Sequence, residues 1–108
     1  MPEKEYAACP VRMALSIFES KWNLRVLYEL IVASPLRFGE LKRAIPYISN
    51  TMLTTTLREL EGLNLVSREQ FNEIPPHVEY SLSESGRAIV PVFEAVGEWS
   101  EKYLRPNS

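Results

Sequence analysis

An α+β fold, mostly helical, is predicted by three features of this 108-residue sequence. Apolar residues recur at helical spacing through most of it, as in Leu53, Leu57 and Leu60. A single region, Leu65 to Leu82, changes to strand patterning, with Val78, Tyr80 and Leu82 alternating around polar neighbours. Segment ends are marked by Ser34-Pro35, Pro46 and Ser49. With 45% hydrophobic residues, the length suits one domain spanning residues 1–108 and one modest core.

The elements follow in order. Residues 1–8 read as a flexible arm. Pro10 suits the first position of a helix, which makes Cys9 its N-cap and carries it to about Glu19. Val11, Met13, Ala14, Leu15, Ile17 and Phe18 cover most of that helix's circumference, so it needs burial on more than one side. A second copy of the chain is the simplest source of the extra surface. Lys21 to Val32 forms the next helix, with Trp22, Val26, Leu27 and Leu30 inward, and Ser34-Pro35 ends it. Phe38 to Ala44 is a short helix facing inward through Phe38, Leu41 and Ile45. Ser49, with Asn50 as the alternative, caps a helix that runs to Gly62 as its break. Leu65–Phe71 and Val78–Leu82 are two strands around a tip at Asn72–His77, which Pro75-Pro76 keeps out of pairing. Ser83 caps a last helix to about Leu104, which Pro91 kinks. Its Ile89, Phe93, Val96, Trp99 and Tyr103 form an apolar seam. Residues 9–19 and 83–104 are thus predicted to be dimerisation helices, through Met13, Ile17, Phe93, Val96, Trp99 and Tyr103.

Composition removes several function classes. No apolar run is long enough to span a membrane, and the N-terminus has no signal-peptide core. A single cysteine, Cys9, cannot form an internal disulfide, and the chain is placed in the cytoplasm. Aspartate is absent, and one histidine beside one cysteine is too little for a zinc site. No phosphate-binding glycine loop is present. Neither an enzyme, a metal nor a cofactor is expected. The net charge of −2 hides an uneven distribution. Residues 21–68 carry seven Lys and Arg against four Glu, whereas residues 69–108 carry three against seven.

The basic surplus falls on the stretch that reads as helix, turn, helix and hairpin: residues 38–62 followed by 65–82. That order defines a winged helix-turn-helix, with double-stranded DNA as the expected partner. Burying Leu53, Leu57 and Leu60 leaves Asn50, Thr51, Thr54, Thr55 and Arg58 facing out, beside Ser49. Short polar side chains let a helix approach base edges; Asn pairs with adenine, and Arg reaches guanine or phosphate. Lys42 and Arg43 precede the turn, where the first helix crosses a phosphate strand, and Lys21 and Arg37 are further backbone candidates. His77 is the one cation candidate at the wing tip. Cys9, at the positive end of a helix dipole with Arg12 nearby, is a candidate sensor of oxidants or electrophiles, or else an inert packed thiol.

These residues resemble the HxlR-type (DUF24) family of bacterial winged-helix regulators, from Cys9 to about Trp99. The likeness is carried by Cys9-Pro10, Lys21-Trp22, Arg37-Phe38-x-Glu40-Leu41, and Ile48-Ser49 leading into Met52-Leu53-Thr54. It continues through Leu57-Arg58-x-Leu60-Glu61, Pro75-Pro76-x-Val78-Glu79-Tyr80-x-Leu82 and Gly86. The resemblance implies a homodimer built from the first and last helices, bound to palindromic promoter DNA as a repressor or activator. In some members the cysteine matching Cys9 senses electrophiles or oxidants. Thr51 and His77 stand where relatives commonly carry Lys or Arg, which implies weaker or more pH-dependent DNA affinity. The rival expectation is a winged-helix protein-interaction module. An apolar volume beside the dimer helices is a candidate place for a small-molecule effector, with filled core as the alternative.

Overall fold

Six helices and three short strands follow one another through residues 9–104, which the computed structural model describes. They are α1 (Pro10–Phe18), α2 (Asn23–Val32), β1 (Leu36–Arg37), α3 (Phe38–Ala44), α4 (Asn50–Gly62), β2 (Val66–Phe71), β3 (His77–Leu82), α5 (Glu84–Arg87) and α6 (Val90–Tyr103). The arm expected over residues 1–8 lies outside the described residues.

α1 begins at Pro10 with Cys9 as N-cap; the Cys9 carbonyl accepts from the Met13 N–H at 3.1 Å, and the thiol makes no capping bond. A fully buried Asn23 joins α1 to α2. Its Nδ2 donates to the Ile17 carbonyl at 2.9 Å, which satisfies one of the carbonyls that a helix end leaves open. Its Oδ1 has no hydrogen-bond partner among the described residues.

The core gathers Val26, Leu27 and Leu30 of α2, Leu41 and Ile45 around α3, Ile48, and Leu53, Leu57 and Leu60 of α4. Val66 and Leu82 close it from the sheet. Two devices hold α3 against this core. The Arg37 N–H donates to Glu40 Oε1 at 2.8 Å at its start. At its end, Arg25 of α2 donates from Nη2 to the Ala44 carbonyl at 3.1 Å while its Nε binds Glu29 at 3.0 Å. Ser49 Oγ caps α4 by accepting from the Met52 N–H at 3.0 Å, as its sequence position predicts.

Three details correct the sequence reading and one, the close of α4, refines it. The hairpin is a three-stranded antiparallel sheet in the order β1-β3-β2, because Leu36 and Arg37 pair with Tyr80 and Glu79. Gly62 is the last residue of α4, as expected, but it does not take the conformation that stops the helix. Leu63 is the C-cap, and Asn64 takes the left-handed conformation at φ 60°. The Asn64 N–H bonds the Glu61 carbonyl and the Leu65 N–H the Leu60 carbonyl, both at 2.9 Å, the pattern of a Schellman close. His77 belongs to β3 opposite Phe71, so the tip comprises residues 72–76.

Finally, the expected helix over 83–104 is two helices. Ser83 caps only α5, accepting from the Gly86 N–H at 3.0 Å. Pro91 falls in the first turn of α6, where its missing N–H is harmless; in a continuous helix it would leave the Arg87 carbonyl unbonded.

α5 is seated on the end of α4. Ser83 Oγ donates to the Asn64 carbonyl at 2.6 Å, and the Ser83 N–H reaches the Leu65 carbonyl at 3.0 Å. Gly86 packs directly on that Leu65 carbonyl. α1 and α6 contain no fully buried residue, and the described chain extends over 56 × 41 × 24 Å. Its radius of gyration is 16.0 Å, against about 13 Å for a compact chain of this length.

Candidate nucleic-acid interface

α4 has two chemically distinct sides. At 100° per residue, Leu53, Thr56, Leu57 and Leu60 share an arc of about 100°, and all four are buried. Asn50, Thr51, Thr54, Thr55 and Arg58 lie within an opposing arc of about 140°. Thr54 is half-buried and the other four are exposed. Ser49, also exposed, sits at the head of that face, with its hydroxyl engaged by the Met52 N–H. The helix therefore offers solvent a band of short polar side chains ending in one guanidinium.

Lys42 and Arg43 occupy the last turn of α3, Lys42 half-buried and Arg43 exposed. Both also complement the negative end of that short helix. Arg37 is exposed at the junction of β1 and α3, in register with Glu79, and belongs to the sheet edge rather than to α4. Lys21 lies with its ammonium 4.9 Å from the Trp22 ring centroid, at the entry to α2.

His77 is not a free cation at the tip. Its ring stacks on Phe71 with centroids 4.7 Å apart, and its Nε2 meets Glu79 Oε2 at 3.1 Å. Glu73 lies 3.9 Å from Nδ1, and Glu69 stands directly opposite Glu79 across the hairpin. The wing is thus acidic on its outer face. Its tip carries a wholly exposed Ile74 next to Pro75-Pro76.

The residues predicted for dimerisation divide into two groups. Phe93 packs against the chain's own core, as does Ile89, and its ring lies 6.2 Å from Tyr28. Val96, Trp99 and Tyr103 turn outward, 54–65% exposed, as does Met13 on α1 at 64%. Ile17 is half-buried. A small apolar cleft lined by Phe18, Leu24, Val92, Phe93 and Val96 runs between α1, α2 and α6. Cys9 is a half-buried free thiol at the start of α1. No helix among the described residues is long and apolar enough to cross a membrane.

Sequence reasoning missed Tyr47, fully exposed in the turn between α3 and α4 at φ 69°. Pro46 marks a turn there, closed by the Ile48 N–H on the Ile45 carbonyl at 3.5 Å, but the left-handed third position is ordinarily marked by glycine, which Tyr47 replaces.

A helix, a tight turn, a solvent-facing second helix and a β-hairpin, in that order, define a winged helix-turn-helix protein. Residues 17–108 match the HxlR-like helix-turn-helix family. An HTH-type transcriptional regulator from Methanothermobacter thermautotrophicus is 44% identical over 103 residues, covering 95% of this chain and 77% of that protein. Among solved structures, a chain described as a MarR-family transcriptional regulator from Porphyromonas gingivalis W83 superposes with a TM-score of 0.82 at 38% identity. That match covers 95% of this chain and 97% of the other. The oxidised form of the redox regulator HypR superposes with a TM-score of 0.79 at 39% identity, over 93% and 100% of the two chains. The chain belongs to the HxlR-like helix-turn-helix family and is a transcriptional regulator of the HTH type.

Proposed function

We propose that this protein binds double-stranded DNA as a homodimer, with α4 in the major groove of each half of a palindromic promoter site. The observation that carries the reading is the division of α4 into a buried leucine stripe and an exposed Asn-Thr-Arg face. Asn50, Thr51, Thr54, Thr55 and Arg58 read base edges, while Ser49, Lys42, Arg43 and Arg37 address the backbone. α1 and α6 pair with a second copy through Met13, Ile17, Val96, Trp99 and Tyr103. Phe93 anchors α6 from behind. Oxidation of Cys9, at the foot of α1, would act on that dimer, and likeness to a redox regulator supports this part.

Fluorescence anisotropy with the DNA upstream of its own gene tests the reading. Tight binding whose log–log salt slope rises by roughly 0.9 per phosphate contacted is expected. A change in affinity on diamide treatment that disappears in Cys9→Ser assigns the switch to Cys9. A flat salt response defeats the DNA reading. One observation favours the rival, a winged-helix protein-interaction module: Glu73 and Glu79 lie against His77 and Glu69 stands opposite Glu79, which makes that part of the wing a poor surface for phosphate. Salt-insensitive association would select that rival.

A further inference from the structure

The turn between α3 and α4 holds a residue that the function above leaves unused. Tyr47 has φ 69°, where a side chain crowds its own backbone and glycine is the usual occupant. Asn64 is the other described non-glycine residue with positive φ, and its case differs. Asparagine tolerates this conformation, and at position 64 it closes α4. At position 47 the same conformation serves the Ile45–Ile48 turn, in which the Ile48 N–H reaches the Ile45 carbonyl at 3.5 Å ahead of buried Ile48. Glycine would serve that turn without strain, and the tyrosine ring adds nothing to it. The Tyr47 side chain is 99% exposed, and it makes no hydrogen bond or ring contact with any described residue. The turn needs the backbone conformation but not the ring, so a phenol held wholly in water at the cost of that strain has its use outside the fold.

The location narrows that use. Tyr47 sits between Lys42 and Arg43, at the end of α3, and Ser49, the cap of α4. When such a pair of helices docks, the first crosses the DNA backbone and the second brings its N-terminal residues to the base edges. The connecting turn then passes the phosphate strand that borders the groove. A phenol hydroxyl is a neutral donor suited to a phosphate oxygen. We propose that Tyr47 is a backbone-contacting residue whose hydroxyl donates to a phosphate at the groove edge. The proposal rests on the DNA-binding reading.

Its signature differs from that of a lysine or arginine. A neutral donor releases no condensed counterion, so removing it weakens binding without changing the salt slope. A phosphate contact also carries no base information, so the loss is the same on every duplex. The test uses Tyr47→Phe and Tyr47→Gly, each titrated by anisotropy against a random duplex of about 30 base pairs, enough for two half-sites. The upstream duplex and a salt series are run in parallel. Tyr47→Phe is expected to weaken both duplexes by about three- to tenfold at an unchanged slope. Tyr47→Gly should weaken them at least as much while raising the melting midpoint by about 2–5 °C, because the strain is removed. Wild-type affinity in both variants, with wild type itself binding in a salt-dependent way, overturns the role of Tyr47 alone. A lower midpoint for Tyr47→Gly overturns it too, since the ring would then be supporting the fold. Absence of salt-sensitive binding by wild type removes the DNA reading and this contact together.

Discussion

A β-carbon built on Gly86 would stand 2.0 Å from the Leu65 carbonyl oxygen and 3.3 Å from Leu82 Cδ2. The first obstacle is backbone, held by the Ser83 N–H that donates to the same carbonyl, so it cannot swing aside. Gly86→Ala should therefore cost at least about 2–3 kcal/mol of folding stability, measured by urea unfolding. A change within about 0.5 kcal/mol would mean that α5 slides freely on the end of α4. Arg58 is the opposite case, exposed and with no hydrogen bond or ion pair among the described residues. Arg58→Ala should leave stability near wild type and weaken operator binding by about 1–3 kcal/mol if the guanidinium grips a base bidentately. Equal losses on operator and scrambled DNA would assign Arg58 to a phosphate instead. The polar face that ends in Arg58 was legible in the sequence, since helical spacing alone separates it from Leu53, Leu57 and Leu60. The demand at Gly86 was not, because it is made by a segment more than twenty residues upstream.

At the scale of elements, boundaries marked by a capping side chain or a proline were legible, and boundaries set by distant contacts were not. Pro10, Ser49 and Ser83 announce helix starts through their own side chains, and each stands where it was expected. The end of α4 at Gly62 was legible, but the left-handed conformation that closes it is taken by Asn64, two residues on. β1 is two residues long, too short for any period, and exists because β3 offers it an edge. The split between α5 and α6 follows from Pro91 falling in a first turn once Gly86 has seated α5, a combination no local pattern states. Replacement of Asn64 by Val places a branched side chain at φ 60°, and should cost about 1–3 kcal/mol in thermal or denaturant unfolding. Asn64→Gly should be neutral or mildly stabilising. A Val variant as stable as wild type would show that α4 has another way to close.

For the whole molecule, the governing fact is the apolar surface that one copy leaves uncovered. α1 and α6 bury no residue fully, and Val96, Trp99 and Tyr103 follow one another outward along α6. The described chain is correspondingly extended, with a radius of gyration of 16.0 Å. Interfaces that hold stable dimers remove roughly 1,200–2,000 Å² from water, a demand that two amphipathic helices from each copy are suited to meet. Half of this was legible in the sequence as a seam. That Ile89 and Phe93 belong to the chain's own core emerges only from the way α6 docks beside Tyr28. The division decides which substitution is informative. Phe93→Ala would loosen α6 from its own domain and confuse folding with assembly. Trp99→Glu acts on the outward surface alone, and brings one charge from each copy into any two-fold interface that buries position 99. The expected result is a monomer by sedimentation equilibrium that keeps its helical circular dichroism. Its affinity for a two-half-site duplex should fall by about 10²-fold or more, toward that of one reading head, because the second contact is no longer tethered. A Trp99→Glu protein that remains dimeric would move the interface away from α6. One that becomes monomeric with undiminished DNA affinity would show that each copy reads its site alone, and would remove the palindrome from the proposal.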